Sequence, residues 1–177
     1  RRSSSAASDV YKRQSQYCID QDRLYGIGYS LGSMFTYEIA CQLNHRFAAV
    51  ASFAGTMPVD PETCELVGGM GVLHIHGKLD YIIDYDDDWD WKDGEHEGVG
   101  TMSNVPGMIE AWSMRANCGS SDTDADFFLE HITHSDCFGG ARVEHYGIEF
   151  WEHTWPDEVD GTPTYQLMWD FLSDFTN

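Results

Sequence analysis

The sequence predicts an α/β fold: a mainly parallel sheet with flanking helices. Three observations carry this. Phe47–Phe53 is an unbroken run of small and apolar residues that ends at Gly55, and Gly71–His76 is another that ends at Gly77. Runs without polar alternation suit strands buried on both faces, the pattern of a parallel sheet. Segments with apolar residues at helical spacing alternate with these runs, which is the order of an α/β chain.

Residues 1–14 read RRSSSAASDVYKRQ and carry four of the ten Lys and Arg. They are basic and lack a useful hydrophobic period. They resemble translated adapter sequence at the end of a partial reading frame, so they are set apart as a non-native or disordered leader. Residues 15–177 are then part of one domain, and the natural chain is expected to continue further N-terminally. Asp20–Arg23 is a polar turn before a short strand, Leu24–Gly28. Residues 31–43 place Leu31, Met34, Phe35, Ile39 and Leu43 near helical spacing. The strands at Phe47–Phe53 and Gly71–His76 follow. Val105–Asn117 reads as a helix with Met108, Ile109, Trp112 and Met114 apolar. Phe127–Thr133 and Val143–Phe150 are strand candidates. Thr162 and Pro163 suit the N-cap and first position of a last helix, with Leu167, Met168, Phe171, Leu172 and Phe175 on one face.

The length of 177 residues is that of one domain, and 42% apolar with 14% aromatic residues supplies a core. No internal repeat or linker divides it. Thirty acidic against ten basic residues give a net charge of −20. Such a surface repels phosphates, which argues against nucleic-acid binding and docking on anionic membranes. No run of about 18 apolar residues suits a membrane span.

The string that carries chemistry is Gly28-Tyr29-Ser30-Leu31-Gly32, placed where a strand turns into a helix. A serine on that strained turn projects its hydroxyl above the sheet, and flanking glycines remove Cβ atoms that would clash. The helix beyond offers backbone N–H groups, first that of Leu31, to a developing oxyanion. Hydrolases with this elbow place the acid and then the histidine later in the chain. Asp80 follows the Gly71–His76 strand, and His153 follows Val143–Phe150 by three residues. Ser30 is the expected nucleophile, His153 the base and Asp80 the group that orients it. Read singly, each has a plainer alternative: a glycine-rich turn, a surface histidine, one more solvated carboxylate.

These residues bring a resemblance into view. YCIDQDRLYGIGYSLGSMFTYEIACQLNHRFAAVASFAG (17–55), GVLHIHGKLDYIIDY (71–85), HTWP (153–156) and LMWDFLSDF (167–175) resemble the secreted α/β-hydrolase esterases grouped as polyhydroxybutyrate depolymerases and feruloyl or acetyl-xylan esterases. With the helix around Trp112 they cover most of residues 17–177. The resemblance implies the C-terminal part of an α/β-hydrolase fold and a secreted serine esterase without a cofactor. Its substrate would be an ester, polymeric or small, and the resemblance implies no particular oligomeric state. The family's nucleophile, acid and base fall on Ser30, Asp80 and His153. Trp155 is similar to an aromatic lining its acyl or polymer groove, although packing explains it equally well; Leu31, Tyr29 and Trp155 are the residues assigned to oxyanion or substrate binding. Three departures bear on these expectations. Ser33 stands where the family has a second glycine after the elbow. Phe150, Trp151 and Glu152 stand where it often has glycines before the histidine. Its first strands, with a second oxyanion N–H and a signal peptide before them, should precede residue 15. These residues alone are therefore expected to fold weakly and turn over slowly, with the Leu24–Gly28 strand a raw edge.

Five cysteines suggest an oxidising compartment. The family often bridges positions similar to Cys118 and Cys137. Cys41 ends the helix after the elbow and Cys64 lies in the returning crossover, so the two can meet, which leaves Cys18 over. Reduced, buried thiols are the alternative. Asp84, Asp86, Asp88 and Asp90 alternate like a calcium loop, but Trp89 stands where the sixth-position glycine belongs, so the stretch reads as a solvated insertion. His74 and His76 share one side of a strand, with no further zinc ligands to place, so no metal is expected. A non-catalytic binding module and a peptidase on the same scaffold are the rival functions.

Overall fold

The structure, a computed structural model, describes residues 17–61, 64–66, 68–90 and 100–177. The leader expected over residues 1–14 lies outside them, as do residues 91–99 of the acidic stretch. Strand β1 (Tyr25–Tyr29) runs into helix α1 (Leu31–Gln42), followed by β2 (Ala49–Phe53) and β3 (Gly71–Gly77). A small ribbon of β4 (Trp89–Asp90) and β5 (Thr101–Met102) precedes helix α2 (Val105–Arg115). The hairpin of β6 (Ser120–Ala125) and β7 (Leu129–Ser135) then leads to β8 (Val143–Ile148). A ribbon of β9 (Glu158–Val159) and β10 (Thr162–Pro163) precedes the last helix, α3 (Thr164–Ser173).

The main sheet has the order β1-β2-β3-β8-β7-β6. The first four strands of that order are parallel, and the hairpin extends them antiparallel. The C-terminal ends of β1, β2, β3 and β8 therefore lie along one edge, and the loops leaving them meet there.

Period-two alternation splits the buried strands between two cores. One face of the sheet sends Val50, Val72 and Val143 against Tyr37 of α1 and Met108, Ile109 and Trp112 of α2. The other sends Ala49, Ala51, Phe53, Leu73 and Ile75 against Met168, Phe171, Leu172 and Phe175 of α3. Burying one such large apolar side chain is worth about 1.5–3 kcal/mol. Among the described residues β1 pairs only with β2, so it is an edge, with Ile27 58% exposed.

Several expectations are corrected. Helix α1 buries Ser33, Thr36, Tyr37, Ala40 and Cys41, whereas Leu31, Phe35 and Leu43 of the apolar stripe face outward. The reason is close approach: a Cβ on Gly26 would lie 3.4 Å from the Thr36 methyl, so this helix meets the sheet through small and polar side chains. Met114 is exposed on α2. Strand β7 starts at Leu129 because Asp126 Oδ1 takes the N–H groups of Phe128 and Leu129 in the hairpin turn. Strand β6, SSDTDA, carries no apolar signal because it is an exposed edge. Thr162 and Pro163 pair with β9, which puts Pro163 rather than Thr162 at the N-cap, without a side-chain cap; α3 begins one residue later than expected, at Thr164, whose hydroxyl donates to Pro156 O at 2.6 Å.

Candidate active site

Ser30 sits between β1 and α1 with φ 55° and ψ −122°, a backbone conformation costly to any residue with a Cβ. Backbone bonds hold it there. Its N–H donates to Phe53 O at 2.9 Å, and its carbonyl accepts from Ser33 at 2.9 Å and Met34 at 3.2 Å. A Cβ on Gly28 would lie 2.2 Å from Gly32 O, so the glycine before the serine is a steric requirement. The second glycine is not: a Cβ on Gly32 would meet nothing within 4 Å, which corrects the expectation for that position. Ser33, the departure from the resembled pattern, is fully buried, bonded to the Ser52 hydroxyl and packed over Gly55.

Asp80 and His153 stand on the loops after β3 and β8, which are stitched together. Lys78 N–H donates to Ile148 O at 2.9 Å and Leu79 N–H to Trp151 O at 2.9 Å. A Cβ on Gly77 would lie 2.3 Å from Trp151 O, so this glycine lets the histidine loop pass over the acid loop. The structure brings the three expected residues together. His153 Nε2 lies 2.8 Å from Ser30 Oγ, and His153 Nδ1 lies 2.6 Å from Asp80 Oδ2. These distances span 123 and 73 residues of chain. Asp80 Oδ1 accepts the N–H groups of Ile82 and Ile83, each at 2.9 Å. Burial alone would raise the Asp80 pKa, but bonds from His76, Ile83, His153 and Ile82 outweigh it and bring the carboxyl down to about 2. It is a buried, ionised acceptor beneath the imidazole.

Residues 1–89, the stretch that holds Ser30 and Asp80, match the model of the phospholipase/carboxylesterase family. The chain belongs to this family. A bifunctional acetylxylan esterase/xylanase, XynS20E of Neocallimastix patriciarum, is 24% identical over 174 residues, which are 94% of this chain and 22% of that protein. NocK of Nocardia uniformis subsp. tsuyamanensis, whose name calls it a putative esterase, is 29% identical over 151 residues, 78% of this chain and 44% of that protein. The chain thus spans less than half the length of either relative. The mixed, mostly parallel sheet, with three flanking α-helices among the described residues, is that of an α/β-hydrolase.

Around Ser30 and His153, Tyr29 stacks between Phe53 at 5.4 Å and His153 at 5.5 Å, and its hydroxyl donates to His153 O at 3.0 Å. Trp155 packs edge-on against Phe53 and Tyr29 and remains 36% exposed. Both residues therefore support the histidine loop and border its open side. Phe150, Trp151 and Glu152 point outward, and Phe150 meets Phe127 of the hairpin turn at 5.2 Å. Leu31 is the first residue of α1, where a helix leaves its N–H without an intrahelical partner.

Away from the edge, Cys41 is bonded to Cys64 and Cys118 to Cys137, while Cys18 is exposed and free. Three aspartates of the described part of the acidic stretch accept hydrogen bonds from the protein. Asp84 accepts from Asp86 and Asp87 N–H, Asp88 from Asn104, and Asp90 from the Thr101 hydroxyl. Among the described residues no three His, Cys, Asp or Glu side chains gather as a metal set, and no helix is long and apolar enough to cross a membrane.

Sequence reasoning missed a row of buried polar groups beneath the site. Ser52, His74 and His145 are register neighbours on β2, β3 and β8. With Tyr37 and His76 they fill the sheet face under α1 and α2, all nearly or fully buried. The signal available was the His74–His76 alternation; their partners on α1 and β8 are visible only once the strands are paired.

Proposed function

We propose that this chain carries the catalytic serine, histidine and aspartate of a carboxylic-ester hydrolase that works through an acyl-enzyme. One observation carries the reading: the unbroken relay of 2.8 and 2.6 Å from Ser30 through His153 to an ionised Asp80. Family membership and the esterase names of both relatives support it.

Each group has one task. His153 Nε2 accepts the Ser30 proton as Oγ bonds to the ester carbonyl carbon. The tetrahedral oxyanion meets the Leu31 N–H at the head of α1. As the carbonyl reforms, the alkoxide leaves and takes the proton from His153. Water then repeats the sequence, giving the acid and restoring Ser30. Asp80 accepts from His153 Nδ1, fixes the tautomer and stabilises the imidazolium.

The substrate class we infer is a feruloyl- or acetyl-type ester on plant polysaccharide, or a hydroxyalkanoate polyester. Tyr29 and Trp155, at the open side of the histidine loop, are the residues assigned to the acyl groove. Two disulfides and the xylanase-linked relative favour secretion. A fluorophosphonate probe tests the reading: it should label the native chain and not Ser30→Ala. Labelling that survives in S30A, or none in the native chain, overturns it. p-Nitrophenyl acetate, methyl ferulate, acetylated xylan, a polyester film and a peptide ester, assayed side by side, then rank the substrates.

A further inference from the structure

Asp80 Oδ2 has a second buried neighbour. His76 Nε2 lies 3.2 Å from it and 3.0 Å from Ile83 O. Both neighbours accept hydrogen bonds, so Nε2 must carry the proton and share it between them. His76 Nδ1 lies 3.0 Å from His74 Nε2, and His74 Nδ1 lies 2.7 Å from the Tyr37 hydroxyl. A neutral imidazole has one donor and one acceptor, so one end sets the whole chain. Nδ1 of His76 accepts, Nε2 of His74 donates, Nδ1 of His74 accepts, and Tyr37 donates.

Burial holds the two further links of this chain, His74 and Tyr37, uncharged. Burial, with His76 and His145 nearby, holds the His74 pKa well below the ordinary histidine value. Burial raises that of Tyr37 and keeps its proton on. His145 Nδ1 donates to His74 O at 3.2 Å and Tyr85 donates to His145 Nε2 at 2.8 Å, so the neighbouring row is neutral too. The Tyr85 ring meets His76 edge-on at 5.8 Å. Lys78, the nearest cation at this end of β3, is engaged by Glu130 and Glu149.

We propose that His76, locked as its Nε2–H tautomer through His74 and Tyr37, is a positioning residue that shares Asp80 Oδ2 with His153. The inference rests on the esterase reading and deepens it. Two donors on one oxygen divide its charge. His76 therefore moderates how strongly Asp80 stabilises the His153 imidazolium, and so the pH at which His153 becomes a free base.

The test compares His76→Leu, which removes the donor, with His76→Gln, whose amide nitrogen restores one near Nε2. Each is measured in the full chain for the pH dependence of fluorophosphonate labelling, with thermal melts alongside. H76L should move the acid limb up by about one pH unit, and H76Q should keep it within about 0.3 unit of the parent. An unmoved limb in a folded H76L overturns the proposal, as does an equal shift in both variants. Nitrogen-15 NMR of the parent chain serves should H76L fail to fold. A protonated Nε2 and bare Nδ1 on His76 are expected; a protonated Nδ1 overturns the proposal. This readout needs no turnover. Absent labelling of the parent chain would sink the esterase reading and leave the tautomer measurement standing.

Discussion

Two fully buried histidines, His74 and His145, tie the stability of the fold to pH. Burial, with His76 next among the causes, pushes the His145 pKa down to about 3, and His74 is lowered as well. Once unfolded, each binds a proton near the ordinary value of about 6.5. Between these limits the unfolded chain holds more protons, so stability rises with pH and is lost as pH falls below about 6.5. Asp80 adds the same sign lower down: its stabilisation is full above about 4 and is lost as pH falls towards 2. Denaturant melts in high salt, where charge repulsion is screened, should show stability dropping by several kcal/mol between about pH 6.5 and 4, with the midpoint still falling below 4. A flat profile from 7 to 4 would mean the histidines are not buried neutral. The two glycines of the elbow give a sharper contrast. Gly28→Ala drives a methyl into the Gly32 carbonyl and should cost about 1–3 kcal/mol or more. Gly32→Ala enters open space inside α1 and should be neutral or stabilising by up to about 1 kcal/mol. Equal thermal shifts in the two variants would refute that distinction.

At the scale of elements, the disulfides act as clips on helix ends. Cys41–Cys64 ties the end of α1 to the crossover towards β3 and closes 23 residues; Cys118–Cys137 ties the end of α2 to the end of β7 and closes 19. Loops of that size give about 3 kcal/mol each in the chain-entropy account. Replacing either pair with serine should lower the melting temperature by several degrees, and both pairs together by about the sum, since they lie on separate helices. Five alkylatable thiols in native material would remove the basis for this. The clips also show which parts of the fold were legible. β2, β3 and the buried face of α3 are written in unbroken or helically spaced apolar runs. Ser30, Asp80 and His153 could be chosen because parallel strands send their following loops to one edge. What could not be read depends on neighbours. The inward face of α1 is set by glycines of β1 that let the helix come close, so its apolar stripe misleads. The exposed strand β6 carries no pattern, and the Tyr37–His74–His76 chain exists only once α1 lies across β3.

For the molecule as a whole, charge sets the last expectation. With 30 acids and 10 bases, pairing every Lys and Arg would still leave 20 carboxylates without a cationic partner. The described ion pairs use Arg23, Lys78 and Arg142, with Lys78 and Arg142 each reaching two acids. Arg23–Asp20 is exposed and the Lys78 and Arg142 side chains are part-buried; exposed pairs are worth about 0–1 kcal/mol each, and salt weakens them. The repulsion among the remaining carboxylates is long-ranged and salt weakens that too, with the opposite effect on stability. The excess of acids makes the second effect the larger. Raising sodium chloride from about 0.01 to 0.15 M shortens the screening length from about 30 to 8 Å. The melting temperature at pH 7 should therefore rise by several degrees, most of it below about 0.15 M, where screening changes fastest. A gain that instead grows in proportion to molar salt would point to exclusion of salt from the surface rather than to charge. A melting temperature that falls with added salt would show that the few cation pairs outweigh the acidic field.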